Sequence, residues 1–434
     1  HWSVLDELGK QDLSGMSEND VAERIRETLM QAVRRRLMSD RPVGMFLSGG
    51  VDSTSILACL AAMGSGNLRS YSIGYSNERT RHTRDEFSFA KEAADKFESP
   101  HTMLRTQPAR LREFIDTCDL PPEVLGEFWL WEMAEAASKD GVPVMLHGEG
   151  ADELFFGYDF HWNVLSERQR VQSEPDSDLD SSPFDSGVPM ALRSSAPRWE
   201  DRDAIADLMF WGGGVHPRFE YQRDNYFNRE RFPGPLQDTS GLDTSRYSPV
   251  STDSDVLGFV RACYDMSRSV NSNADYRHRM QFLEFVHKLP EVLLRRSEPS
   301  CMKHSVEMRL PFLDEDMVSL AVNLPLASLR TPELVKYPLR LAMKGMIPER
   351  IRKRPKEFFG VSFLEASQKW PSENPWFRDY LLESRFTSLG LVSKKYLESQ
   401  YERLTRDNVG FETFLWKHVF TAVWYDNFIS KVTQ

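Results

Sequence analysis

The sequence is poor in cysteine: Cys59, Cys118, Cys263 and Cys301 are the four in 434 residues, far apart and with no C-x-x-C pair. That scatter excludes a zinc ribbon or a disulfide scaffold and suits a reducing cytoplasm. Excess positive charge is missing too, since 54 Lys and Arg against 65 Asp and Glu leave a formal net charge of −11. Nucleic acid and anionic membranes are therefore not expected partners, and any polyanion must be held locally. No stretch approaches the roughly 20 uninterrupted apolar residues of a membrane helix, and the first residues lack the basic-then-apolar pattern of a signal peptide. There is no fixed-period repeat. The lysine-bearing G-x-x-x-x-G-K-[ST] loop is absent as well, which argues against a phosphate site of the kinase or GTPase type.

What is present is a substantial apolar fraction, 40% of the chain, arranged in alternating patterns. From Ser17, the segment SENDVAERIRETLMQAVRRRLMSD spaces Val21, Ile25, Leu29, Val33 and Leu37 four apart, with Ser17 and Asp20 as a capping pair. This predicts a helix facing a core. RPVGMFL then has strand composition, and DSTSILACLAAM is again helical, closed by Gly64 and Gly66. Further strands are predicted at Leu68–Tyr75, at HTMLRT and at Val142–His147. Helices are predicted at Asp85–Phe97, PARLREFIDTCDL and EFWLWEMAEAASKDG. Strands alternating with helices predict an α/β fold with a parallel sheet covered on both faces. Two Ser-, Asp- and Pro-rich stretches, QSEPDSDLDSSPFDSG and PGPLQDTSGLDTSRYSPVSTDSD, read as long surface loops, and from about residue 256 helical periodicity dominates.

Two bare turns carry the chemistry. LSGGVDST (47–54) follows the first strand, and Ser48, Gly49 and Gly50 leave backbone N–H groups free to converge at the positive end of the next helix. Such a nest holds phosphate. Asp52 beside it is repelled by phosphate unless a cation such as Mg²⁺ bridges the two. HGEGADELFFGY repeats the logic about a hundred residues later, with Glu149, Asp152 and Glu153 among Gly148 and Gly150. Ligands of parallel sheets sit at the carboxyl ends of strands, where both turns fall. A joint metal and nucleotide site is expected. The plainer alternatives are helix capping for Asp52 and Asp152, a surface turn for Glu149 and a solvated basic run around Lys356.

SGGVDS resembles the pyrophosphate-loop signature of the ATP pyrophosphatases. GEGADELFFGY, SVEMRLPFLD (305–314), KYPLR (336–340) and RIRKRPKEFFG (350–360) are similar, in that order, to the synthetase domain of glutamine-dependent asparagine synthetases. The resemblance runs from about residue 2 to 425. It implies the ATP-pyrophosphatase (adenine nucleotide alpha-hydrolase-like) α/β core with an additional helical region. The implied division is a linker and leading helix (1–40), an ATP-binding parallel unit (41–165), a loop-rich insertion (166–255) and a helical portion completing the site (256–434). It also implies a reaction in which a carboxylate is adenylated by ATP with Mg²⁺, releasing pyrophosphate, and an amine then displaces AMP.

On the same resemblance, Ser48, Gly49, Gly50, Ser53 and Thr54 cradle the pyrophosphate, and Asp52 and Asp152 hold Mg²⁺. Lys356 reaches the α-phosphate and Glu149 takes the proton of the amine. Leu47 and Ile73 line the adenine pocket, and His147 and Gly148 stand where the nucleotide is touched. Arg309 and Asp314 read as a structural charge pair or turn anchor, and Lys336 and Arg340 as equally phosphate-facing or exposed.

The departures are informative. His147 replaces a serine, Phe156 stands at a usual glycine, and SEPSCMKH (297–304) differs from the family's stretch near the carboxylate pocket. Aspartate as the substrate is thereby in doubt, and other acids, small molecule or peptide, as in sugar amidotransferases or lasso-peptide cyclases, stand beside it. Glu149 argues against the β-lactam synthetase branch, which tends to carry tyrosine there. HWSVLD resembles the junction after a glutaminase domain, so ammonia is expected from a glutaminase domain or subunit outside these residues, with an amine other than ammonia as the alternative. A tRNA-modifying enzyme is disfavoured by the acidic charge, and a non-catalytic scaffold by the retained Asp52, Glu149, Asp152 and Lys356.

Overall fold

The computed structural model describes residues 2–13, 15–65, 67–74, 86–122, 126–158, 162, 278, 281–282, 284–325, 328–331, 333–356, 374–407 and 413–429. The expected insertion at 166–255 lies outside them. Five strands, β1 (Val43–Phe46), β2 (Ser70–Gly74), β3 (His101–Arg105), β4 (Val144–Leu146) and β5 (Glu307–Arg309), form one sheet in the order β3-β2-β1-β4-β5. Every pairing is parallel. The chain runs outward from β1 to β2 and β3 on one side, then returns to β4 and β5 on the other. β1 and β4 thus flank the switch point where open α/β sheets bind ligands.

Both faces of the sheet are covered, because alternate strand residues point opposite ways. Met45, Leu47 and Leu146 enter one buried apolar cluster, while Phe46, Tyr71, Ile73 and Met145 enter a second. Helix α1 (Glu18–Arg36) closes the first face with Ile25, Leu29 and Val33, all buried. It begins as its sequence predicts: the Ser17 side chain accepts from the Asp20 N–H, and Asp20 returns the bond to the Ser17 N–H. Helix α2 (Val51–Ala62) is buried almost all round and ends before Gly64 at φ +75°. Helix α3 (Glu86–Lys96) adds Phe89, Ala90 and Ala93 to this cluster.

The second face is built by α4 (Leu111–Thr117), α5 (Gly126–Lys139), α6 (Pro375–Glu383), α7 (Lys394–Asp407) and α8 (Thr413–Trp424). Aromatic contacts knit it together: the Phe377 and Trp416 rings meet edge to face at 4.4 Å, and Phe114, Phe128 and Trp131 pack on one another. One strand differs from expectation. β5 lies in the stretch read as helical, so the sheet draws its fifth strand from beyond the insertion. Three residues, Glu307–Arg309, are too short for alternation to show. Asp314 anchors the turn after β5 as the sequence suggests. It accepts from the Asp316 N–H and pairs with Arg35 and Arg36 at the end of α1. Arg309 donates to the carbonyls of Arg36 and Met38.

Candidate active site

The two glycine turns lie side by side because β1 and β4 are paired, Met45 opposite Leu146. In the first turn Gly49 adopts φ +70°, and a Cβ there would overlap the backbone of Phe89 and Ala90, so the turn is pressed against α3. The turn is tied to its helix by Ser53, whose Oγ accepts from the Ser48 N–H at 3.2 Å and lies 3.1 Å from Ser48 Oγ. No side chain caps α2 at Gly50. Within the turn the Gly50 N–H donates to Ser48 Oγ at 3.3 Å, and an uncapped helix start of this kind can receive an anion. Gly148 of the second turn packs against Asp52 and the Ser53 N–H, which brings the turns within van der Waals contact.

Asp52 and Asp152 face one cation. Lys336 Nζ lies 2.7 Å from Asp52 Oδ2 and 2.7 Å from Asp152 Oδ1. The Lys356 ammonium grips Asp152 from another side, at 2.7 and 2.6 Å from its two oxygens. Two acids and two lysines from four separate segments thus form one cluster. Lys336 is fully buried and sits at φ +57° immediately before the helix Tyr337–Ala342. Gly157 makes room for it, since a Cβ there would overlap Asp152 Oδ1 and Lys336 Cε. Burial alone would raise the Asp152 carboxyl, but the two ammonium groups outweigh it and hold it well below the usual carboxylate range. Burial would likewise lower Lys336, and Asp152 and Asp52 reverse this and raise it.

Behind the cluster, Tyr158 Oη donates to Glu153 Oε1 at 2.6 Å. The Tyr158 ring lies under Lys288 Nζ at 3.7 Å and under Lys356 Nζ at 5.4 Å. Burial pushes the Glu153 carboxyl up to about 7 despite Lys288. The Phe156 backbone is left-handed at φ +51°, a conformation that costs a non-glycine residue about 1–2 kcal/mol. Its buried ring packs against Trp162, 6.0 Å between centroids, and its carbonyl accepts from Trp162 Nε1.

Glu149 has other partners. Its Oε2 accepts from Ser297 Oγ at 3.0 Å and lies 3.6 Å from His147 Nδ1. Ser297 belongs to the helix Arg295–Met302, part of the stretch that departs from the family. Of the remaining expected residues, Leu47 donates its N–H to Tyr71 O and is buried, and Ile73 is buried on β2. Arg340 is buried and spends its guanidinium on the carbonyls of Val335 and Arg352, so it matches neither alternative read from the sequence, and Lys336, buried as well, is not the exposed residue either.

Three buried polar atoms around the turns have no hydrogen-bond partner in the protein: Asp52 Oδ1, Thr54 Oγ1 and His147 Nδ1. Unsatisfied buried atoms gathered in one place mark a site that a ligand completes. Among the described residues no group of three or more His, Cys, Asp or Glu could hold a metal alone. Two carboxylates beside a phosphate nest fit Mg²⁺ nevertheless, because that ion takes one or two carboxylates together with substrate phosphates. Among the described residues no helix is long and apolar enough to cross a membrane.

Comparison with known proteins places the chain in a family. A family model described as asparagine synthase matches residues 24–426. The chain is 27% identical over 430 residues to a candidate glutamine-hydrolysing asparagine synthetase of Mycobacterium tuberculosis, covering 95% of this chain and 59% of that protein. It is 25% identical over 439 residues to the glutamine-hydrolysing asparagine synthetase 1 of Bacillus subtilis, covering 95% and 60%. An amidase of Penicillium rubens is 24% identical over 421 residues, covering 89% and 59%. The chain spans about three fifths of the length of these curated relatives.

Proposed function

The chain belongs to the asparagine synthase family, and from that premise we propose that it is an ATP-dependent amide-forming ligase, which adenylates a carboxylate and transfers the acyl group to ammonia or an amine. The observation that supports this most is the convergence of Asp52, Asp152, Lys336 and Lys356 beside the open N-terminus of α2. A triphosphate needs donors at one end and mobile positive charge at the other, and this cluster offers both.

The chemistry follows from the residues. Ser48, Gly49, Gly50 and Ser53 bind the β- and γ-phosphates through N–H and hydroxyl groups. Asp52 and Asp152 would hold Mg²⁺, which supplies neutralisation of the phosphate charge that otherwise repels the incoming carboxylate. Lys336 and Lys356 now neutralise the two acids; with phosphate present their N–H donors turn toward the phosphate oxygens, and their attraction grows as negative charge builds at the α-phosphorus. The carboxylate oxygen attacks that phosphorus and pyrophosphate leaves. Glu149 then takes the proton of the amine as it displaces AMP.

The acid is assigned by class, a small-molecule or peptide carboxylate, since Ser297 and Cys301 line a stretch that departs from the family's sequence. The nitrogen is ammonia released by a glutaminase domain or subunit; the Bacillus subtilis relative is named for hydrolysing glutamine. ATP/pyrophosphate exchange with a panel of carboxylic acids, aspartate included, tests the first half-reaction. Exchange that depends on one class of acid is expected, and its absence across the panel rejects the ligase reading. Supplied with the acid that supports exchange, this chain makes amide from ammonium salts and not from glutamine, read as AMP and amide formed. Asp52→Asn and Asp152→Asn each lower turnover at least a hundredfold at limiting Mg²⁺, on the order expected for loss of a metal or charge-stabilising group.

A further inference from the structure

We propose that His147 receives the amine proton from Glu149, with Ser297 holding the carboxylate through both of its charge states, so that the three residues relay the proton out of the amide-forming step. The proposal rests on the reading of Glu149 given above.

The geometry at Glu149 Oε2 carries it. Ser297 Oγ lies 3.0 Å from that oxygen and 3.0 Å from the Leu293 carbonyl. A hydroxyl has one hydrogen to donate and lone pairs to accept with. When Glu149 is ionised, Ser297 donates to it. When Glu149 carries a proton, its O–H donates to Ser297 Oγ and the serine hydrogen turns to Leu293. Both states are therefore satisfied, whereas an N–H donor in that place would favour only the ionised one. A base that must take up a proton and release it needs this symmetry.

His147 supplies the next acceptor. Its Nδ1 is buried, has no hydrogen-bond partner and lies 3.6 Å from the same carboxylate oxygen. Two lone-pair-bearing atoms so placed favour a single shared proton. The separation exceeds a hydrogen bond, as contacts in ligand-free sites often do before they tighten in the complex. The ring meets the edge of Phe46, 5.7 Å between centroids, and the His147 backbone is held by its main-chain N–H, which donates to Arg309 O at 2.9 Å. About a quarter of the side chain, 26%, is exposed, and none of that exposure is at Nδ1. A proton entering at Nδ1 leaves to water from Nε2.

The step balances. The amine nitrogen bonds to the acyl carbon, and the acyl carbon–oxygen bond to phosphate breaks with its electron pair leaving on AMP. The surplus proton of the amine goes to Glu149, then to His147 Nδ1, and imidazolium returns one to solvent. The charged groups carried by the elements around the pair include Asp52 at the start of α2, Arg295, Arg296 and Glu298 on the helix of Ser297, and Glu307 and Arg309 on β5. Arg309 is spent on Glu307 and the carbonyls of Arg36 and Met38. The neighbouring Cys301 thiol is pushed up to about 12 by burial and stays neutral.

The test uses the full chain labelled with ¹⁵N-histidine, the His147 signal being assigned as the one lost in His147→Gln. At one fixed pH the ring-nitrogen shifts of His147 move in Glu149→Gln, because the facing carboxylate is gone. Unmoved shifts overturn the proposal. With the carboxylic acid that supports exchange, His147→Gln lowers amide formed per pyrophosphate released by tenfold to a hundredfold, on the order of a general-base contribution. Exchange with an unaltered ratio sinks the relay alone. No exchange with any acid in the parent chain sinks the ligase reading and the relay with it.

Discussion

Lys336 shows how much can rest on one side chain. It is the cation between Asp52 and Asp152, whose side chains keep 20% and 17% of their surface exposed. Lys336→Met leaves the two acids facing each other without it. Breaking a buried pair costs about 3–5 kcal/mol, and this partly open one belongs near the low end. The urea midpoint should drop accordingly, and adding Asp52→Asn should recover part of the loss; a Lys336→Met chain as stable as the parent would show that the lysine does not hold the acids. At Gly157 the expected effect is different. Gly157→Ala forces Asp152 and Lys336 apart, so the Mg²⁺- and ATP-dependent rise in Tm should shrink more than the Tm of the free protein. The acids and glycines of both turns were legible in the sequence, because short motifs at strand ends are local patterns. The role of Lys336 was not, since its burial depends on two acids 284 and 184 positions away. Ser297 was hidden in the same way, flagged only as part of a divergent stretch.

Among the elements, α5 carries a buried acid. Glu132 accepts from Thr106 Oγ1 at 2.7 Å and from the Gln107 N–H at 2.8 Å, tying α5 to the loop after β3. Burial pushes its carboxyl up to about 7, from a usual 4.5. A carboxyl that binds its proton more tightly folded than unfolded costs stability as pH rises between those two values, and the cost is full above about 7. The Tm should therefore fall from pH 5 to pH 8, and Glu132→Gln should flatten that fall. A variant with the same slope as the parent would place the pH dependence elsewhere. The strands and helices of residues 17–147 follow from their periodicity and caps, as with the Ser17–Asp20 pair. β5 escaped because three residues give no alternation, and its place beside β4 is fixed by packing and not by propensity.

At the scale of the whole molecule, the segments that build the site come from residues 47–54, 147–157, 297, 336 and 356. ATP with Mg²⁺ should then stabilise the fold as a unit, by about 2.7 kcal/mol at a hundredfold excess over Kd. A chelator should remove most of that gain, and Asp52→Asn with Asp152→Asn should abolish the part that depends on Mg²⁺; a Tm shift identical in all cases would reject the metal assignment.

The direct pairing of β1 with β4 has one last consequence. The excursion through β2 and β3 leaves on one side of β1 and returns to β4 on the other, and since β1 and β4 pair directly, its length is free to vary while the two turns keep their spacing. The registry of Met45 with Leu146 has no such freedom. One residue added after Leu146 would carry the second turn about 3.3 Å along the strand axis and invert its side chains. In this molecule a large insertion between the halves is a tolerable edit, and a one-codon insertion at the seam is not.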